Sequence, residues 1–274
     1  MAYGWPVKPF DRAHPVRGNF DDPRISGSSR TFHFGIDVVA RDGTPVYAVE
    51  AGEVFFDDPT AIAVAFSSTL DFGYWHVEPA VRPHQRVAKG QLLGRVLAPW
   101  GHVHFAERRG GEYRNPLRPG AISPWSDPTS PRIVSISFER DGKTVPPNAV
   151  SGAVDVIVEA FDTPPLPIPP PWVGAIVTPA IVRWRVLQGS RVVRPWHTPV
   201  DFTSTLLPPE RFSAVYAPGT RQNHPGKPGR YRFFVAHTWS TPLLSNGVYR
   251  LEAEAADESG NRARAGLAFT IANV

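Results

Sequence analysis

Gly101-His102-Val103-His104-Phe105 is the stretch on which the reading of this chain turns. On a strand, side chains alternate between faces, so His102 and His104 point one way while Val103 and Phe105 point the other. A second pair lies upstream in Phe32-His33-Phe34-Gly35-Ile36-Asp37-Val38. His33 and Asp37 are four positions apart, an even spacing that puts both on one face of an extended segment. An imidazole from each pair and the Asp37 carboxylate, if they meet on the inner faces of two strands, would form a three-ligand zinc set with one position open for water.

The surrounding sequence is built for strands. Gly (23) and Pro (31) are too frequent in 274 residues to leave room for long helices, and they favour short strands with turns. Ile36–Ala40 reads as a strand, Asp42-Gly43 as a hairpin turn, and residues 46–49, 51–56, 61–66, 72–77, 86–91 and 92–96 as further strands before His102–Glu107. Residues 1–32 read as irregular, with turn signals at Gly4, Pro6, Pro9, Pro15, Gly18 and Pro23. Asn115 to Pro131 is rich in Pro and Ser and poor in core formers, which places a domain boundary there. The expected domains are residues 1–125 and 126–274.

The second half restarts with Ile133-Val134-Ser135-Ile136-Ser137-Phe138, where Val134, Ile136 and Phe138 are expected on the buried face. Residues 154–160, 181–187, 231–235, 248–255 and 263–271 continue in the same style, and about seven such strands suggest a β-sandwich. Six prolines between Pro164 and Pro171 read either as a stiff loop between strands or as a polyproline ligand for a partner. The fold class expected is all-β.

Composition narrows the function. Hydrophobic residues at 42% and charged residues at 20% fit globular domains. The net charge of +4 is small for this length and no long basic run accompanies it, so nucleic-acid binding is not inferred. The absence of cysteine excludes disulfides and thiolate metal sites. No apolar run approaches a membrane span, and Met1-Ala2-Tyr3-Gly4-Trp5-Pro6 has neither the charged nor the apolar region of a signal peptide. The helical zinc signature His-Glu-x-x-His is also absent.

The two histidine-bearing stretches are separated by Gly43-Thr44-Pro45-Val46, Ala51-Gly52-Glu53-Val54, Tyr74-Trp75-His76 and Gly90-Gln91-Leu92-Leu93-Gly94. In that order, over about residues 14–120, the chain resembles the lysostaphin-type zinc endopeptidases that cut peptidoglycan peptides. The resemblance implies an antiparallel β-sheet metallopeptidase domain, Zn2+ as cofactor, and His33, Asp37 and His104 as its ligands. It implies His76 and His102 as the two non-ligand histidines that assist catalysis, without saying which is the general base. It also implies an extracellular or cell-envelope protein acting on peptidoglycan peptides. The loop at Arg82-Pro83-His84-Gln85 departs from the pattern with His where the family often has Gly; His84 either lines the groove or is solvated.

The C-terminal half resembles immunoglobulin- or fibronectin-like modules through Asn246-Gly247-Val248-Tyr249-Arg250-Leu251 and Asp257-Glu258-Ser259-Gly260-Asn261. Two other functions stay open: a non-catalytic scaffold or regulator of the same fold, and a surface-binding protein acting through the sandwich. With all five site residues ahead of the proline-rich junction, a fragment of about residues 1–125 is expected to fold and act alone. The oligomeric state is not legible in the sequence.

Overall fold

The computed structural model describes residues 2–273. The first half forms β1 (Pro23–Ser26), β2 (Ser29–Phe32), β3 (Ile36–Val39), β4 (Pro45–Tyr47), β5 (Gly52–Asp58) and β6 (Ala61–Ser67). It continues with β7 (Leu70–Trp75), β8 (Val77–Pro79), β9 (Arg86–Val87), β10 (Leu92–Val96), β11 (His102–Arg109) and β12 (Glu112–Arg114). The second half forms β13 (Arg132–Arg140), β14 (Lys143–Val145), β15 (Ala153–Phe161), β16 (Ile181–Gln188) and β17 (Arg191–Asp201). After a one-turn helix α1 (Phe212–Val215) come β18 (Arg232–Ser240), β19 (Gly247–Ala256) and β20 (Arg262–Ile271). The fold is all-β, as its turn-dense composition requires.

The main sheet of the first half runs β12-β11-β7-β6-β5-β9, with β3 added beside the start of β11. Every pairing in it is antiparallel. A three-stranded sheet, β4-β10-β8, and the β1-β2 hairpin complete this half. Ile36, Val38, Val103 and Phe105 alternate into one apolar core with Val54, Ile62, Val64 and Tyr74. That alternation turns Asp37, His102 and His104 to the opposite face. Register then does the rest: Asp37 lies directly across from His104, and Val39 from His102.

The second half is two four-stranded antiparallel sheets, β14-β13-β15-β18 and β17-β16-β19-β20. They share a core of Val154, Val156, Val158, Val182, Trp184, Val186, Phe233, Leu251 and Phe269, among others. The expected inward face of β13 is corrected at its start. Val134 is exposed because a bulge between Ile133 and Ser135 shifts the register by one, and it is Ile133 that packs against the core.

Residues 23–32 are not irregular as their turn signals suggest but form the β1-β2 hairpin, which faces the second half. Phe32 is buried in the second core, with ring centroids 5.4 Å from Phe212 and 5.7 Å from Tyr216. Thr178 donates from both its backbone N–H and its hydroxyl to Asp22 Oδ1, at 3.0 and 2.7 Å. The Tyr216 hydroxyl donates to Asp21 O at 2.7 Å, and Asn115 Nδ2 to Phe202 O at 2.9 Å. Apolar and polar contacts between the two halves thus cross the proline-rich junction.

The junction also gathers carboxyls. Asp127, Asp162 and Asp257 bring oxygens within 4.8 Å of one another. Burial first, then the neighbouring Asp127, pushes Asp162 up to about 8, and burial does the same to Asp21. A carboxyl raised in the folded state keeps a proton that the unfolded chain has already released, so folding stability falls as pH rises toward about 8. Above about pH 7 an ordinary histidine is already mostly neutral, so the raised carboxyls dominate the change there. In metal-free protein, the melting temperature is expected to drop by about 2 °C or more between about pH 7 and 8.5. Asp162→Asn should flatten part of that drop; a wild-type curve that rises over this interval would contradict the protonated-carboxyl reading.

Candidate metal centre

All five residues singled out in the sequence meet in one groove of about 1170 Å³, walled by both halves of the chain. Asp37 enters from β3 and His104 from β11, as their register dictates. His33 does not share a strand with Asp37. It lies just beyond β2, where its backbone pairs with Asp21 and Asp22. Gly35 lets the chain pass so close to β11 that a Cβ there would come within 2.3 Å of Phe105 O.

Three ligand-type atoms converge. His33 Nε2 is 2.7 Å from His104 Nδ1 and 3.1 Å from Asp37 Oδ1, and His104 Nδ1 is 3.4 Å from Asp37 Oδ1. Donors around a tetrahedral zinc lie about 3.3 Å apart for bonds of about 2.0–2.1 Å, so the triangle has the right size. His33 Nδ1 lies 2.8 Å from Asn19 O, which takes its N–H and leaves a lone pair on Nε2. Ligation through His104 Nδ1 leaves the proton on Nε2, which is buried without a hydrogen-bond partner. Two imidazole lone pairs facing each other at 2.7 Å repel unless a cation or proton lies between them. The donor set therefore fits zinc: two neutral nitrogens and one carboxylate, with no sulfur.

Electrostatics keep these groups in ligating form. Burial drives His104 down to about 3 and also lowers His33, so both rings are neutral at ordinary pH. Burial alone would raise the Asp37 carboxyl, but His33, His102 and Arg24 together hold it well below its usual range. Arg24 Nη2 donates to Asp37 Oδ2 at 2.8 Å, leaving Oδ1 to face the histidines. Gly18 makes room for this pair, since a Cβ there would lie 2.7 Å from Asp37 Oδ2.

His102 and His76 flank the triangle. His102 Nε2 lies 3.2 Å from Asp37 Oδ1, yet His102 is outside the group of mutually close ligand atoms. The strand expected over residues 72–77 breaks at His76, whose φ of +64° is unusual for a residue with a side chain. That kink stacks the His76 ring on Trp100, with centroids 3.7 Å apart, and brings it 4.7 Å from the His102 ring. Burial, followed by the nearby histidines, lowers His76 to about 3. His84 stands apart, exposed and within 2.9 Å of Glu53 Oε1, and takes no part in the groove.

Arg17, Arg24, Trp100 and Trp172 belong to the site and were not legible as such. Arg17 Nη2 lies 2.7 Å from His102 Nδ1, and its guanidinium lies 3.9 Å from the centre of the Trp172 ring. None of the four sits in a spaced motif; each reaches the groove only through tertiary folding.

Residues 31–116 match Peptidase family M23, a match that covers less than half of the chain. An uncharacterized protein of Mycobacterium tuberculosis is 32% identical over 148 residues, which is 47% of this chain and 34% of that protein. The chain thus spans about a third of the length of that curated relative. Among solved structures, Csd3 of Helicobacter pylori superposes with a TM-score of 0.37 and 24% identity over 46% of this chain and 36% of the other. A zinc containing peptidase from Vibrio cholerae gives a TM-score of 0.36 and 22% identity, over 42% of this chain and 39% of the other. Among the described residues, no helix is long and apolar enough to cross a membrane.

Proposed function

We propose that the chain is a zinc-dependent peptidase whose substrates are the peptides of bacterial cell-wall peptidoglycan, and that it works outside the cytoplasm or in the cell envelope. The observation that carries this reading is the meeting of His33 Nε2, Asp37 Oδ1 and His104 Nδ1 in an open groove with two further imidazoles beside them. The match of residues 31–116 to Peptidase family M23 supports the reaction class.

His33, Asp37 and His104 would hold the metal. Zinc bound there supplies a Lewis acid for the scissile carbonyl and lowers the pKa of a bound water to about 7. Asn19 O fixes the His33 ring through Nδ1, and Arg24 fixes the Asp37 carboxylate through Oδ2, so the ligand atoms are set before metal arrives. His76 and His102 divide two tasks: moving a proton between water and the leaving amine, and donating to the oxygen that gains negative charge. Trp75 and Trp100 give the groove apolar walls that exclude water and hold a peptide in an extended pose.

The test is digestion. The zinc-loaded chain is incubated with purified walls of several chemotypes and with soluble wall peptides, and the fragments are identified by mass. New amino termini within the wall peptides are the expected result. Stoichiometric zinc with no fragment from any wall or soluble peptide would replace the peptidase by a scaffold of the same fold.

A further inference from the structure

The strap between β15 and β16 is closed at its base by paired hydrogen bonds between Asp162 and Val177, at 2.7 and 2.9 Å. Its proline run, Pro164 to Pro171, is a stiff loop, and its tip is tied down where Gly226 N donates to Pro171 O. Ile168 to Trp172 line the same groove as the metal-site residues. Trp172 is the one strap residue whose ring covers a charged group. Its face lies over Arg17, which is itself buried, with burial the main influence lowering it.

We propose that Trp172 and Arg17 are positioning residues for His102, so that the sandwich half completes the catalytic site of the peptidase. A guanidinium carries only donors and keeps its proton. At 2.7 Å from Arg17 Nη2, His102 Nδ1 meets a charged donor and is favoured to present its lone pair. Trp100 O, 2.8 Å from Nδ1, would accept from the other tautomer, but that tautomer sets an N–H against the charged Arg17 Nη2, which also reaches Trp100 O at 3.4 Å. This places a ring proton of His102 on Nε2, which faces Asp37 Oδ1 and the metal position. His102 is then the donor that stabilises negative charge on the carbonyl oxygen, and proton transfer falls to His76. Trp172 holds the guanidinium in plane by cation–π contact and keeps water from competing for it.

This assignment rests on the peptidase reading for its kinetic consequence but not for its structural one, and the experiment separates them. Ring-nitrogen 15N NMR on the full chain as purified, with His102→Asn used to assign the resonances, reads the tautomer of His102 without substrate. The wild type is expected to show an unprotonated Nδ1 and a protonated Nε2. Trp172→Ala should release that preference, giving a mixture of tautomers with unchanged zinc content, and should lower kcat on wall peptides by about tenfold or more. Trp172→Phe, which keeps a ring over Arg17, should restore most of kcat. Arg17→Lys, which lacks the planar fork, should not. A wild-type His102 protonated at Nδ1 overturns the proposal, and this reading stands even where a variant fails to fold. So does a Trp172→Ala protein that keeps both the Nε2–H tautomer and kcat. A wild type with the expected tautomer but no peptidase activity sinks the functional reading alone.

Discussion

Replacing His104 by alanine is expected to strip the chain of stoichiometric zinc, while replacing His102, two residues away on the same face, leaves zinc in place and stops turnover. The two side chains share β11 and similar burial, so a loss of fold would not tell them apart; their ligand geometry does. His104 Nδ1 is one corner of the triangle with His33 Nε2 and Asp37 Oδ1, at 2.7 and 3.4 Å. Removing a supporting residue behind a metal ligand costs roughly 10–100-fold in affinity, and removing the ligand itself must cost more. His102 Nε2 lies 3.2 Å from Asp37 Oδ1 but outside the group of mutually close ligand atoms. Its loss removes a donor to the oxygen that gains negative charge, on the order of 10²–10³-fold in rate. Metal analysis of both purified variants, alongside their rates on soluble wall peptides, checks this. Equal loss of zinc in both would make His102 a ligand.

The second large effect concerns truncation. A fragment ending near residue 125 keeps all five site residues, and from composition alone it is expected to fold and act. The contacts across the junction give the opposite expectation: little cooperative unfolding, weak zinc binding and no turnover. Phe32, one residue before His33, would lose its pocket among Phe202, Phe212 and Tyr216, at a cost of about 3–5 kcal/mol. Asp22, which is fully buried, would lose both hydrogen bonds from Thr178. Asp21 would lose Leu207 N and the Tyr216 hydroxyl. These losses fall on the segment that pairs with the His33 backbone, and together they rival the roughly 5–15 kcal/mol that a domain has in total. Circular dichroism melts and zinc binding of the fragment decide the matter. A cooperative, zinc-binding, active fragment would make the sandwich a spacer after all.

What the sequence made legible follows from strand geometry. Even spacing at His102/His104, and alternation with Val103 and Phe105, was enough to put the histidines on the face away from the core. Asp37 was placed by its even spacing from His33, and the structure puts it on that face through the alternation of Ile36 and Val38 into the core. His33 shares that face for a different reason: it lies past the end of β2, held by backbone bonds to Asp21 and Asp22 rather than by strand alternation. His76 was legible as a residue but not as a kink, because no turn residue marks its positive φ and its stacking on Trp100 appears only in the folded chain. Arg17, Arg24 and Trp172 were illegible, since an arginine among turn signals and a tryptophan after a proline run have no periodic signature. The same limit hid the β1-β2 hairpin, whose Phe32 and Ile25 pack on the second core.

Anomalous diffraction at the zinc edge, from crystals of the full chain grown with zinc, addresses the central claim most directly. The prediction is one strong peak per chain, enclosed by His33 Nε2, Asp37 Oδ1 and His104 Nδ1, with His76 and His102 nearby and not bound to it. A peak ligated by His102 in place of His104, a peak only among Asp127, Asp162 and Asp257, or no peak at all would contradict it.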